Sequence, residues 1–241
     1  MNNAGDENFS HFSGQKFPFL QFASDCSILI KAGEGISEEC HTEVFRIFTL
    51  LTLKKIEGVQ TIQPAYNSVL VTFDPVKIKP HYIYDKLLEI LEDTSSIQLP
   101  ERRRIEIPVC YENEFAPDIK DVAELNNLTI DEVIGYHTRP EYLVYFLGFS
   151  PGFPYLGEMS KEISASRLKT PRIKIPAGSV AIGGDQTGIY PIASPGGWRI
   201  IGRTPCKLFS TDNDPPVLLQ MGDRIKFVPI SKDEFKKEAG N

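Results

Sequence analysis

The sequence predicts an α+β protein in two parts, a ferredoxin-like βαββαβ unit followed by a barrel or sandwich of short strands. Three observations carry this. Up to about residue 100, apolar residues switch between strand-like and helix-like spacing. A polar, arginine-rich stretch, Pro100-Glu101-Arg102-Arg103-Arg104, then breaks the pattern. Beyond it the chain becomes dense in glycine and proline while keeping its aromatic residues.

The first unit is expected over residues 17–100, with residues 1–16 a disordered N-terminal extension. Cys26 to Ile30 is a short β-branched run. Ser37 offers an N-cap to a helix whose Val44, Ile47, Phe48 and Leu51 fall at helical spacing, and Gly58 ends it. Val59 to Ile62 and Asn67 to Phe73 read as strands, the second with Val69, Val71 and Phe73 on one face. Pro80 opens a second helix whose buried stripe is Ile83, Leu87, Ile90 and Leu91. Ser96 to Leu99 reads as a final edge strand, which completes βαββαβ.

The second unit is expected over residues 104–235. Ile105 to Tyr111 is a strand, and a short helix follows near Asp118 to Leu125. Thr129-Ile130-Asp131-Glu132 spells a capping box for another helix, with Ile130, Val133, Ile134 and His137 on one face. Tyr142 to Leu147 is apolar on both faces, as a strand covered on both sides is. Short strands are expected at Ser179–Gly183, Ile189–Ile192, Trp198–Gly202, Cys206–Phe209 and Arg224–Val228, the last entered through the turn at Met221-Gly222-Asp223.

Composition narrows the function. A net charge of −6 and one short basic cluster argue against a nucleic-acid partner. No stretch of about 18 apolar residues predicts a membrane helix, and the N-terminus has no secretory signal pattern. Cys26, Cys40, Cys110 and Cys206 are scattered, which favours free buried thiols in a reducing cytoplasm over a disulfide frame. The four histidines are equally dispersed, so no metal site is expected.

Ten of the eighteen glycines lie between Gly148 and Gly202, interleaved with seven prolines from Pro151 to Pro205, which excludes one long helix there. Phe149, Phe153, Tyr155, Tyr190 and Trp198 exclude a disordered linker. Within this block Gly148-Phe149-Ser150-Pro151-Gly152 matches a nucleophile elbow. However, Pro151 has no N–H for an oxyanion, and Pro151-Gly152-Phe153-Pro154 cannot begin a helix. Ser150 is read instead as a turn-forming hydroxyl. Gly178 to Gly184 has phosphate-loop spacing, yet Gly184 stands where the lysine belongs, so these are turn glycines.

Four strings in one order resemble the family of the 5-oxoprolinase B component, also called allophanate hydrolase subunit 1 or the kinase-inhibitor (Kip) family, with its carboxyltransferase subdomain C and D. They are residues 148–157, Pro176-Ala177-Gly178-Ser179-Val180, Gln186-Thr187-Gly188-Ile189-Tyr190-Pro191 and Ser194-Pro195-Gly196-Gly197-Trp198. The resemblance implies that the second unit is a cyclophilin-like β-barrel. It also implies a subunit, inactive alone, of an ATP-dependent 5-oxoprolinase converting 5-oxo-L-proline to L-glutamate. ATP would be bound at the level of the complex. The partners would be a C-like complementary subunit and an A-like subunit. The same family holds regulators that dock on a sensor histidine kinase, the alternative reading.

The chain would then supply half of a composite cleft. Its surface is expected from Phe149, Pro151, Gly152, Pro176, Ser179, Gly196, Gly197 and Trp198. Arg203 follows Ile200 and Ile201 and can grip a carboxylate through its planar fork. Gln186, Tyr190 and His137 are the other expected substrate contacts, although His137 on its apolar face also fits a satisfied core position. No catalytic residue is identified.

Overall fold

The computed structural model describes residues 16–157 and 159–240. The expected N-terminal extension, apart from Lys16, lies outside them. The chain divides into two compact units after Pro100.

In the first unit the element order is β1 (Phe19–Ser24), β2 (Ser27–Lys31), α1 (Glu38–Lys54), β3 (Val59–Pro64), β4 (Ser68–Phe73) and α2 (Pro80–Leu91). Ser37 caps α1 by accepting from the Cys40 N–H at 3.2 Å. Pro80 opens α2, and its buried stripe is Ile83, Leu87, Ile90 and Leu91. The helix stripes and the sheet face of Ile28, Ile30, Val69, Val71 and Phe73 are buried.

The sheet has the order β1-β2-β4-β3, antiparallel throughout. The expected βαββαβ order is corrected to ββαββα. The expected strand Ser96 to Leu99 does not form, because Thr94 and Ser96 turn their hydroxyls onto the Leu91 and Asp93 carbonyls and close a short 3₁₀ turn there. The edge beside β2 is occupied instead by β1, which reaches it through a tight turn.

The second unit is a closed seven-stranded barrel. Its strands are β5 (Arg104–Cys110), β6 (Tyr142–Leu147), β7 (Pro154–Leu156), β9 (Ser179–Gly183), β10 (Gln186–Ile189), β12 (Arg199–Arg203) and β13 (Arg224–Ile230). They close in the order β10-β7-β6-β13-β5-β12-β9, with β5 and β13 parallel. A separate two-stranded ribbon pairs β8 (Arg172–Ile175) with β11 (Ser194–Gly196). Helices α3 (Ile119–Leu125) and α4 (Ile130–Thr138) add Val122, Ala123 and Val133 to the core inside the barrel. The Thr129–Glu132 capping box starts α4 and another at Ser231 starts α5 (Lys232–Ala239).

Two expected strands shift. Residues 206–209 make only an isolated bridge, Phe209 to Val217, because Pro215 and Pro216 opposite them lack ladder donors. β10 ends at Ile189, two residues before Pro191. The arginine cluster is not simply a solvated linker. Arg103 clamps Asp223 with two bonds of 2.8 and 2.5 Å, and Asp223 also accepts the Gln220 N–H at 2.7 Å. This clamp ties the start of β5 to the turn before β13. Of the four free cysteines, Cys40 and Cys110 are buried and Cys26 and Cys206 half-buried. Among the described residues no helix is long and apolar enough to cross a membrane.

Limited trypsin digestion should therefore cut first after Arg102, ahead of the clamp, and leave a stable fragment beginning at Arg103. First cuts within residues 148–203 would contradict an ordered glycine-rich block.

Candidate functional site

Strand alternation gives the barrel wall two working faces. On β9, Val180 and Ile182 point into the main core, whereas Ala181 joins a second apolar cluster with Phe153, Ile175, Tyr190, Trp198 and Ile200. On β10, Ile189 points inward and Gly188 outward. The outward glycines form a floor for aromatic rings. A Cβ on Gly183 would lie 2.6 Å from the Trp198 indole, and one on Gly188 would lie 2.9 Å from Phe153. Phe153 is the hub, with ring centroids 5.5 Å from Tyr190, 5.8 Å from Trp198 and 5.5 Å from Phe149.

Phe149 is the exposed end of this layer, at φ 62° and 67% exposure. A bulky residue held in the left-handed region stores about 1–3 kcal/mol. Its loop is a tight turn: the Ser150 N–H donates to Gly148 O at 2.7 Å and the Phe153 N–H to Ser150 O at 3.0 Å. Pro151 is exposed at the tip, and Gly152 packs on Leu208 and Phe209. The backbone makes the turn. The Ser150 hydroxyl, expected to form it, is buried without a partner among the described residues.

Arg203 stands beside the Pro176–Ser179 turn. Gly178, at φ 80°, donates to Tyr190 O and accepts from the Thr204 N–H, and a Cβ there would strike Thr204 O. The turn's exposed Pro176 and Ala177 leave the Ala177 carbonyl to accept Arg203 Nε at 2.9 Å. The guanidinium carbon lies 6.0 Å from the Phe235 ring. Its two terminal nitrogens meet no carboxylate among the described residues, so the fork is open to an anion.

Gln186 does not share that position. Arg203 pairs with Ser179 at one end of β9, and Gln186 pairs with Gly183 at the other. Four residues of strand separate them, about 13 Å. They therefore stand at opposite ends of the strand rather than side by side. Ser179 and Tyr190 are buried in the wall. The Tyr190 hydroxyl accepts from the Trp198 backbone, and burial pushes the phenol pKa up. Gly196 and Gly197, expected in the cleft surface, are packed against other parts of the protein. Gly196 lies against the Tyr190 hydroxyl, and Gly197 lies on Pro171 and accepts the Leu168 N–H. Trp198 is 8% exposed.

His137 is a core residue rather than a ligand contact. It is fully buried and stacks 4.4 Å from Phe227. The Thr187 hydroxyl donates to Ala181 O at 3.1 Å, so its oxygen accepts from His137 Nε2–H at 2.9 Å. Nδ1 is then the acceptor for the Tyr111 hydroxyl at 2.8 Å. Tyr142 donates to the His137 carbonyl at 2.8 Å. Burial lowers the imidazole pKa to about 3. The expected substrate role is therefore corrected to a neutral structural one.

Sequence reasoning misses Asp118 and Arg172. In sequence Asp118 reads as the start of a helix, yet its carboxylate makes no cap. It is 4% exposed, accepts Arg172 through two bonds of 2.8 and 2.6 Å, and takes the Ile200 N–H at 2.7 Å. Only partners 54 and 82 residues away along the chain reveal that role.

The second unit is thus a seven-stranded barrel with an aromatic layer on its outer wall and an arginine held by its Nε beside a turn. Residues 18–219 match the family described as carboxyltransferase domain, subdomain C and D, and the chain belongs to that family. It is 42% identical over 238 residues to the B component of 5-oxoprolinase from Bacillus subtilis, covering 92% of this chain and 98% of that protein. A solved structure of a conserved uncharacterized protein from Pyrococcus horikoshii is 44% identical, with a TM-score of 0.54 over 90% of this chain and all of that one. The Kluyveromyces lactis urea carboxylase shares the fold, with a TM-score of 0.71 at 22% identity over 90% of this chain and 22% of that one.

Two outcomes follow from this packing. The unfolded His137 imidazole protonates near its ordinary 6.5, the native one only near 3. Between these values the unfolded chain holds the extra proton, so acidification destabilises the fold by up to about 1.4 kcal/mol per pH unit. His137→Gln should flatten the stability-versus-pH curve in that window; an unchanged slope would place the proton elsewhere. Gly183→Ala should cost about 1–3 kcal/mol by overpacking. Since Trp198 is the only tryptophan, its emission should shift to the red as the indole is pushed outward. An unchanged spectrum and melting curve would refute the glycine floor.

Proposed function

We propose that this chain is the B component of an ATP-dependent 5-oxoprolinase, which opens the cyclic amide of 5-oxo-L-proline to L-glutamate with ATP hydrolysis. The observation that carries this reading is the 42% identity spread over 98% of the Bacillus protein's length. By contrast, the 26% likeness to the Saccharomyces cerevisiae urea amidolyase covers 13% of that protein. A likeness end to end favours the same role rather than a shared domain alone.

The geometry supports a share in a composite cleft. Arg203 offers an open planar fork, and Phe149 offers an exposed ring on a constrained backbone, backed by Phe153 of the aromatic wall. Beside them stands no nucleophile paired with a base: the Ser150 hydroxyl has no partner among the described residues and His137 is sealed in the core. In this reading the barrel is the cyclophilin-like half of the cleft and a C-like subunit supplies the other half. An A-like subunit completes the assembly, with ATP bound at the level of the complex. Arg203 holds the substrate carboxylate, and Gln186, about 13 Å along β9, serves a different contact.

Two measurements test this. The purified chain should show no 5-oxoproline-dependent ATP hydrolysis, and co-expression with the C-like and A-like subunits should restore it. Turnover by the chain alone, or binding to a sensor histidine kinase with none to those subunits, would refute the reading. In the active complex Arg203→Lys keeps the charge but loses the fork. It should lower kcat/KM by the equivalent of about 1–3 kcal/mol, with melting temperature and assembly little changed. Unchanged kinetics would remove Arg203 from the site.

A further inference from the structure

We propose that the β8–β11 ribbon is a docking arm for an acidic face of a partner protein, namely the complementary subunit of the assembly proposed above, on which this inference rests. The ribbon is two strands only, and β8 pairs with nothing but β11 among the described residues, so its outer edge is open. An isolated pair of strands is marginally stable in water. This one is fastened at both ends of β8. Arg172 of β8 is clamped by the buried Asp118, which also holds the Ile200 N–H of the barrel wall. At the other end of β8, Ile175 is fully buried against the Gly196 and Tyr190 region. Ile173 shares its strand face by alternation, yet is 92% exposed. The ribbon therefore lies fixed on the barrel and carries one apolar side chain, Ile173, into solvent.

Its charge is equally one-sided. Residues 165–178 contain Arg167, Lys169, Arg172 and Lys174 and no carboxylate, on a chain whose net charge is −6. Arg172 is spent on Asp118, and Arg167 lies 5.9 Å over the Trp198 ring. Lys169 and Lys174 are exposed and have no carboxylate partner among the described residues. Unpaired cations around an exposed aliphatic anchor are the complement of an acidic protein face with an apolar centre. A nucleic acid fits less well, since three cations make a weak phosphate footprint and Ile173 has no role against phosphate. The Asp118 clamp holds the arm in one position before the partner arrives, which lowers the ordering cost of association.

The test uses the full chain, with the C-like and A-like subunits as probes in a titration at two salt concentrations. The wild-type chain should bind, and more weakly at high salt. Ile173→Glu combined with Lys174→Glu should weaken binding by about tenfold or more, as loss of an anchor does. The melting temperature should stay unchanged, because both side chains are exposed. Lys169→Glu combined with Lys174→Glu should slow association and flatten the salt dependence. If the wild type binds neither subunit, the 5-oxoprolinase reading falls and this inference with it. If the wild type binds and both variants bind equally well, the reading stands and the docking arm is overturned. Binding of single-stranded DNA at the same salt, lost in the variants, would also overturn it in favour of a polyanion site.

Discussion

The wall made by β9 and β10 is packed on both sides, and that constraint orders the rest of the barrel. Inward positions must be branched or hydrogen-bonded to fill the interior: Val180, Ile182 and Ile189 are, and Thr187 serves through its bond to His137. Outward positions must be small, because the Trp198 ring lies over Gly183 and the edge of Phe153 abuts Gly188. A strand that satisfies both demands alternates aliphatic residues with glycine or alanine. The glycines that look like flexibility in the sequence are thus the floor of a rigid aromatic layer. The exposed Phe149 is held at the end of that layer by rings rather than by its own backbone preference.

Buried carboxylates fasten what the wall cannot reach. Asp118 and Asp223 each take two bonds from one arginine and one from a backbone N–H. A buried charge is tolerated only when its lone pairs are satisfied in this way, and removing one partner is costlier than never having had the pair. One carboxylate secures the β8–β11 ribbon and the other secures the entry to β5. Both are long-range ties, joining residues 54 and 120 positions apart. The surface loops therefore owe their fixed position to charge as much as to apolar burial.

Much of this is legible in the sequence. The capping boxes, the Pro80 helix start, the stripe of α2 and strands β4, β5, β6 and β9 all follow from local rules, because each depends on residues within a few positions of one another. The differences have a common cause. Local pattern favours Ser96 to Leu99 over β1 as the edge strand, because either segment could fill the edge beside β2 and only pairing decides between them. β7, β8 and β11, at three or four residues each, are too short to show a period.

The site divides along the same line. By itself the sequence determined which residue types are available: an arginine after a strand, a glycine-rich aromatic block, no metal spacing, and a family-specific order of motifs. Only the tertiary structure decided what they do. It put Arg203 and Gln186 at opposite ends of β9 and sealed His137 in the core. It filled the space beside Gly196 with Tyr190, and left Ile173 in solvent while burying Ile175 two residues away. The physical reason is that local chemistry follows from neighbours in the chain, whereas burial, distance and open hydrogen-bonding capacity follow from neighbours in space. In a closed barrel those spatial neighbours are set by strand order and register.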